Sequence, residues 1–256
     1  MALIIFNGKS TEDLCLISQA IPSYEFPKKL YDYTHIPGRN GDIVIDTNAY
    51  ENVNRTYYLA SIYKPGTDFA SNASKIVEWL MSAKGYCRLE DSYEPDVYRM
   101  ASYVNNGSLT DIMKTATTIN VTFNCKPQRY LKAGEKEVSF GINANVTITN
   151  PTEFDALPTI KFTPTVIGEV TISLNNDYEI SINVQESMLN KVFIIDSETQ
   201  NCYYINGNGK FVNANNYVTL PEDNNIFPVL SAGQTTVSIT GGDTVNKSIT
   251  PRWWKL

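Results

Sequence analysis

The sequence predicts a mainly β protein built from two β-sandwich domains, the first of which also carries one α-helix. Three observations support this prediction. Apolar and polar residues alternate with a period of two over most of the chain, which is typical of half-buried strands. Residues 67–84 have helical spacing instead, and the composition changes near residue 132. We therefore expect an N-terminal domain at 1–132 and a C-terminal domain at 133–256.

The clearest strand of the first domain covers residues 118–125, TINVTFNC. Its asparagine and threonine side chains fall on one face of the strand, and the apolar side chains fall on the other. The residues of the apolar face are Ile119, Val121, Phe123 and Cys125.

The helix is predicted over residues 67–84, TDFASNASKIVEWLMSAK, because apolar residues recur there at three- and four-residue spacing. Thr67 or Asp68 can cap its start, Lys84 suits its negative end, and Gly85 is a common stop signal. The apolar stripe that we expect to face the core is Phe69, Ala73, Ile76, Val77, Leu80 and Met81.

The domain boundary is placed close to Lys132. The strong strand is predicted to end near Pro127, and a charged stretch follows it. Beyond this point the strand pattern returns at 146–149, 170–174 and 180–184, with turn-forming residues between the strands. This pattern without a helix predicts an antiparallel sandwich.

The charge and the apolar runs exclude several classes of function. The formal charge of −6 does not suit a surface that neutralises phosphates, so we expect no nucleic-acid readout. No apolar run is long enough for a membrane span, and the N-terminus lacks the features of a signal peptide. We therefore expect a protein that is made in a cytosol and stays soluble.

The four cysteines lie far apart in the sequence, without the paired spacing of a zinc site. Disulfides are rare in cytosolic proteins, so we expect buried free thiols. Cys125 and Cys202 in particular lie in apolar runs, where a thiol behaves as a small hydrophobic group.

Catalytic chemistry has little support. His35 is the single histidine and lies beside a Pro-Gly turn, so a histidine-based triad or metal site would depend on it alone. The carboxylate group at Glu90, Asp91, Glu94 and Asp96 matches no calcium loop, and we expect a solvated turn between two strands. No catalytic residue, metal or cofactor is predicted.

The segment Asn206–Lys210 looks like a phosphate-binding loop, but Phe211 stands where such a loop needs serine or threonine. We expect the turn of a hairpin instead.

Several motifs, in a shared order, resemble those of the distal tail proteins (Dit) of siphophages. One of them is the turn Ile36–Asp42, IPGRNGD, which follows an extended arm in that family. The other motifs, in chain order, are FNGKS at 6–10, the Trp79-Leu80 pair of the helix, FNCKP at 123–127 with Tyr130, NP at 150–151, PTI at 158–160, the hairpin 192–205, and FPVL at 227–230 with Gly233. The resemblance covers nearly the whole chain.

The resemblance implies a structural virion protein at the tail tip, assembled in the bacterial host cytoplasm. N-terminal domains of the family form a ring of six copies that contacts the tail tube protein on one side and the tail-tip hub protein on the other. C-terminal domains resemble galectins in fold and project outward, and in larger members they carry receptor-binding proteins or sugar-binding insertions. No long insertion is expected in this sequence.

Two sets of residues are candidates for protein contact. We expect residues 25–44 to form an arm that reaches the next subunit, because their mixed composition makes little independent core. The candidate arm residues are Tyr31, Tyr33, His35, Pro37, Gly38, Arg39 and Gly41. Trp253 and Trp254 form a candidate C-terminal contact, and the alternative is that they fasten the last strand to the C-terminal sandwich.

Two other functions stay open from the sequence. The main alternative is a carbohydrate-binding module that attaches to the host cell wall through the second sandwich, because the chain is rich in asparagine and aromatic residues. A component of a phage-derived contractile or secretion machine is a further possibility, since such devices reuse tail parts.

Overall fold

The computed structural model describes residues 3–62, 69–104, 110–112, 116–141, 145–221 and 226–256. Within them it has one α-helix, α1 (Phe69–Met81), and three short 3-10 helices at Lys132–Glu135, Glu186–Met188 and Asn215–Tyr217. The strands are β1 (Ile4–Phe6), β2 (Lys9–Ser10), β3 (Leu16–Ser18), β4 (Lys29–Thr34), β5 (Ile43–Tyr50), β6 (Val53–Ile62), β7 (Cys87–Asp91), β8 (Val97–Tyr103), β9 (Thr110–Ile112), β10 (Ala116–Leu131), β11 (Val138–Phe140), β12 (Val146–Asn150), β13 (Thr159–Thr163), β14 (Gly168–Leu174), β15 (Tyr178–Val184), β16 (Phe193–Asp196), β17 (Asn201–Ile205), β18 (Phe211–Asn213), β19 (Val218–Thr219), β20 (Gly233–Gly241), β21 (Val245–Thr250) and β22 (Trp254–Lys255). The predicted mainly β class with one helix is confirmed.

The chain divides into two compact units, residues 1–129 with Leu256 and residues 130–255. The N-terminal unit is built on a sheet in which the strands follow the order β2-β1-β7-β8-β10-β6-β3. Helix α1 contributes to the same core as this sheet. Phe6 and Phe123 form the aromatic centre, with ring centroids 4.6 Å apart.

Strand β10 confirms the predicted alternation and extends it. It pairs with β6 over ten consecutive positions, from Ala116 opposite Ile62 to Cys125 opposite Val53. The four residues of the predicted apolar face are buried. The predicted end of the strand at Pro127 is wrong, because the strand continues to Leu131. On the β6 side the ladder ends at Cys125, so Pro127, which lacks an N–H group, interrupts no bond there.

Helix α1 is confirmed, and its buried face agrees with the predicted stripe at Ile76 and Leu80 but differs from it elsewhere. The buried residues are Asn72, Ile76, Trp79 and Leu80. Val77 and Met81, which were expected in the core, are 48% and 63% exposed. The predicted caps Thr67 and Asp68 lie outside the described residues, and Gly85, with φ of +68°, follows the helix.

Two hydrogen bonds explain this orientation of the helix. The indole Nε1 of Trp79 donates to the carbonyl oxygen of Phe6 at 3.1 Å, so the largest side chain of the helix is both buried and satisfied. The amide Nδ2 of Asn72 donates to Ser61 Oγ at 3.1 Å, which allows a polar residue to lie on the core side.

The C-terminal unit contains two antiparallel sheets that share one core. One sheet has the strand order β11-β21-β13-β16-β17-β18, and the other has the order β12-β20-β14-β15-β19. The predicted hairpin turn at Asn206–Lys210 is confirmed, because Ile205 of β17 pairs with Phe211 of β18. The turn between β14 and β15 places Asn175 and Asn176 at positive φ, as tight hairpin turns require.

All four cysteines are free. Cys125 and Cys202 are buried, and burial raises the pKa of each thiol to about 12. These two behave as the predicted apolar core residues. Cys15 is exposed, and Cys87 is partly buried, so the expectation of burial fails for Cys15.

Candidate functional site

The candidate arm is a separate two-stranded hairpin of β4 and β5 in the N-terminal unit. Tyr31 pairs with Asp46 and Tyr33 pairs with Val44, with a register shift between Lys29 and Tyr31. The two strands form a sheet of their own, so no third strand lies beside the hairpin among the described residues. Because successive side chains of a strand point to opposite faces, both faces of the hairpin carry exposed residues.

The end of the hairpin contains the predicted turn. Gly38 and Gly41 have φ of +82° and +80°, a conformation that glycine adopts without strain. The backbone N–H of Arg39 donates to the carbonyl oxygen of Ile36 at 3.2 Å, and Pro37 lies between the two. His35 Nδ1 lies 3.1 Å from Asp42 Oδ1, at the base of the turn. The sequence motif therefore forms a compact, exposed turn.

Polar contacts hold the two arm strands together. Lys29 Nζ forms an ion pair with Asp46, and this hydrogen bond raises the pKa of Lys29 and lowers that of Asp46. Lys28 and Glu51 form a second, exposed pair at 3.3 Å. Thr47 Oγ1 donates to the carbonyl oxygen of Leu30 at 2.7 Å.

The arm exposes large apolar side chains. Tyr33 is 64% exposed, and its ring lies edge-on to that of Tyr31 with centroids 6.4 Å apart. Val44 is 54% exposed, and Ile45 is also exposed. The sequence reading overlooked these two aliphatic residues as site residues, because a run such as IVI resembles a buried strand.

Trp253 and Trp254 lie in the C-terminal unit, in surroundings that differ from those of the arm. Trp253 is 6% exposed and belongs to the core of that unit. Trp254 stacks on Phe154 with centroids 4.5 Å apart, and its Nε1 donates to the carbonyl oxygen of Asp155 at 2.9 Å. A buried side chain is not available to a partner, so the fastening alternative fits Trp253 and the contact interpretation does not.

The predicted solvated turn at residues 90–96 connects β7 and β8, but part of it is buried. Asp91 is buried, and its Oδ2 accepts hydrogen bonds from Tyr57 Oη at 2.6 Å and from Arg55 Nη2 at 3.0 Å. Its Oδ1 accepts from the backbone N–H groups of Tyr93 and Glu94, each at 3.0 Å. Burial alone would raise the pKa of Asp91, but these bonds and the Arg55 charge outweigh it and lower the pKa.

Glu94 extends this network within the N-terminal unit. Its carboxylate forms ion pairs with Arg99 and, at 2.6 Å, with Arg129. Burial opposes ionisation, but the two arginines outweigh it and lower the pKa of Glu94. The arrangement joins a turn to two strands, and the carboxylates of Asp91 and Glu94 have their partners within the same unit. These two carboxylates therefore stabilise the fold of the N-terminal unit.

A second exposed cluster, which the sequence reading did not identify, lies on β17 and β18 of the C-terminal unit. Asn201, Tyr203, Phe211 and Asn213 line a shallow depression, and we call this set the aromatic–amide cluster. The rings of Tyr203 and Phe211 are nearly perpendicular, with centroids 5.2 Å apart. The signal in the sequence was Phe211, beside the predicted hairpin turn. The sequence does not show which residues lie next to it in the fold.

Among the described residues, no group of three or more His, Cys, Asp or Glu side chains is placed to hold a metal ion. In the same part of the chain, no helix is long and apolar enough to cross a membrane.

Comparison with known proteins gives no match to a family model and no match to a curated protein. Solved structures do match. The SPP1 Dit protein, described as a paradigm of the hub adsorption apparatus in phages that infect Gram-positive bacteria, has a TM-score of 0.74 at 13% identity, with 100% of both chains covered. A chain of the phage P2 baseplate in its activated conformation with Ca has a TM-score of 0.55 at 10% identity, covering 97% of each chain. The chain thus has a Dit-like fold over its whole length.

Proposed function

We propose that this chain is a structural protein of a phage tail tip, without catalytic activity. In this proposal six copies form a ring that joins the tail tube protein to the tail-tip hub protein. The ring is formed by the N-terminal domain, residues 1–132, and the galectin-like C-terminal domain, residues 133–256, projects outward. The fold likeness to the SPP1 Dit protein and the P2 baseplate chain supports this role.

The observation that carries the proposal is the exposed arm. A two-stranded hairpin is marginally stable by itself in water, and this one presents Tyr33, Val44 and Ile45 to solvent. Such a hairpin gains stability when a neighbouring subunit covers one of its faces. A closed ring needs one surface that fits a different surface of the next copy, and a projecting arm supplies the first of these.

Helix α1 offers a further apolar surface for assembly. Val77 and Met81 are four residues apart and therefore lie next to each other on the outer side of the helix. Nothing in the N-terminal unit covers them among the described residues. We propose that they face another subunit or a tail partner in the assembled particle.

The first experiment is to measure the mass of the purified chain by light scattering, with negative-stain images of the same sample. The proposal expects a ring-shaped particle of about six times the 28.7 kDa chain mass. A chain that stays monomeric at every concentration would contradict self-assembly, and would leave ring formation to the tube or hub protein.

The second experiment tests the arm directly with the double variant Tyr33→Ser and Val44→Ser. These residues pair across the hairpin and are exposed, so the variant should fold normally and assemble less. Tyr217→Ser, which removes an exposed aromatic of the C-terminal unit, is the matched control and should keep the wild-type mass. If the double variant assembles like wild type, the arm is not an inter-subunit contact.

A carbohydrate-binding role is the alternative function. The observation that favours it is the aromatic–amide cluster on the C-terminal unit, which is unrelated to the arm.

A further inference from the structure

The aromatic–amide cluster is formed by residues that alternate with core residues. Cys202 and Tyr204 of β17 belong to the core, so Asn201 and Tyr203 point to the outer face of the sheet. β18 is the edge strand of that sheet, and its Phe211 is 71% exposed. The cluster is therefore accessible from solvent along an open sheet edge.

The two amides of the cluster are already oriented. Asn213 Nδ2 donates to Asn201 Oδ1 at 3.3 Å, and Asn213 Oδ1 accepts from the backbone N–H of Asn215 at 3.0 Å. The Nδ2 group of Asn201 has no hydrogen-bond partner among the described residues and remains available as a donor. Beside the amides, Phe211 presents an uncovered ring, and Tyr203 supports it edge-on.

We propose that the aromatic–amide cluster binds a neutral saccharide. A pyranose ring has a face of C–H bonds, which is attracted to the negative face of an aromatic ring such as Phe211. Its hydroxyl groups both donate and accept hydrogen bonds, as do the amides of Asn201 and Asn213. This inference does not depend on ring formation, and it deepens the alternative function by naming its site.

The charges near the cluster favour a neutral ligand. Arg252 donates to both carboxylate oxygens of Asp196, at 2.6 and 3.2 Å, and also lies 3.3 Å from Glu198. With Lys210, which precedes Phe211 in the chain, two cations balance these two carboxylates, so the surroundings carry no net charge that would attract an acidic sugar or a phosphate. The cluster itself contains no basic residue, which argues against nucleic acid.

A protein partner is the competing occupant, and the composition of the cluster favours the saccharide. Stable protein interfaces bury about 800 Å² per partner around a desolvated apolar centre. Here a single strongly exposed aromatic ring is flanked by amides, a composition that suits a small polar ligand with one apolar face.

The test is a titration of the full chain, followed by saturation-transfer NMR, with three probes: maltotriose, cellotriose and the trimer of N-acetylglucosamine. We expect at least one probe to bind with a Kd on the order of 1 mM, and Phe211→Ala to weaken it about tenfold or more. Asn201→Ala should weaken the same probe. Tyr217→Ala, an exposed aromatic outside the cluster, should leave the affinity unchanged.

Three outcomes would overturn the proposal. The first is that no probe binds at about 20 mM, a concentration well above the expected Kd. The second is that Phe211→Ala, with an unchanged melting temperature, binds as well as wild type. The third is that Phe211→Ala changes the mass of the assembled chain but leaves the affinity for every sugar unchanged. That result would make the cluster a protein contact.

Discussion

Gly134 shows how a single position can be restricted by backbone contact. A Cβ atom at this residue would lie 2.3 Å from the backbone nitrogen of Trp253, which is too close for two heavy atoms that are not bonded to each other. The N–H of Arg252 also donates to the carbonyl oxygen of Gly134 at 2.8 Å. We expect Gly134→Ala to push these segments apart and to lower the free energy of unfolding of the C-terminal unit by about 3 kcal/mol. Urea denaturation measures the change.

Gly207→Ala is the matched control for this substitution. Gly207 lies in the turn between β17 and β18, and a Cβ atom there would meet nothing within 4 Å. Its effect should stay within about 0.5 kcal/mol. Equal losses in both variants would contradict the assigned cause, because they would point to a general cost of replacing glycine.

At the same scale, Asp91 shows what sequence reasoning cannot find. The turn between β7 and β8 was predictable from the cluster of carboxylates around a proline. Its burial was not predictable, because the partners Arg55 and Tyr57 lie on β6, more than thirty residues earlier in the chain. Only the pairing of distant strands brings the charges together, so the turn appears solvated in the sequence.

Helix α1 allows a prediction at the scale of an element. Ile76 and Val77 are neighbours in the sequence, but Ile76 is fully buried and Val77 is about half exposed. We expect Ile76→Ala to lower the free energy of unfolding by about 2–5 kcal/mol, since it leaves a cavity in the N-terminal core. Val77→Ala should cost less than about 0.5 kcal/mol. Denaturation of the two variants under conditions that keep the chain monomeric compares them.

A larger loss in Val77→Ala would contradict the observed helix orientation and would favour the stripe predicted from the sequence. That stripe is confirmed at Ile76 and Leu80 but wrong at Val77 and Met81, for a physical reason. Helical spacing fits both the stripe with Val77 and Met81 and the one with Asn72 and Trp79. The choice depends on hydrogen bonds to Phe6 and Ser61, which the periodicity does not contain.

Acid sensitivity is expected for the whole molecule. Three carboxylates with arginine partners have lowered pKa values, namely Asp91 and Glu94 in the N-terminal unit and Asp196 in the C-terminal unit. Burial raises the pKa of each, but their arginine and hydrogen-bond partners outweigh burial. A carboxylate with a lowered pKa in the folded state stabilises the fold above its unfolded pKa, and this contribution is lost as the pH falls through the folded pKa. The melting temperature should therefore be nearly constant from about pH 7 to 5 and fall below about pH 4.

Asp91→Asn tests the origin of this acid sensitivity. The variant should be less stable than wild type at neutral pH, because the buried Arg55 keeps only the longer ion pair with Glu94, at 3.7 Å. Its melting temperature should also fall less steeply between about pH 5 and 2, because one of the titrating groups is gone. A slope identical to that of wild type would show that other groups are responsible.

Much of the overall architecture could be predicted from local pattern. The period of two identified the strands, the single helix stood out from them, and the residues of the arm lacked the alternation of a core strand. The strand order could not be predicted, because it depends on long-range pairs such as β1 with β7 and β13 with β21. The aromatic–amide cluster was missed for the same reason, since register decides which side chains become neighbours.

The arm also has a consequence for the solubility of the free chain. Among the described residues both edges of this ribbon are unpaired, and with its exposed apolar side chains it invites pairing with another extended chain, and so risks aggregation. Lys29 and Asp46 on this hairpin, with Lys28 and Glu51 at its base, place charges of both signs along the strands. A foreign strand would have to displace or desolvate those charges. The same ionic contacts that hold the hairpin together therefore disfavour its pairing with a foreign strand.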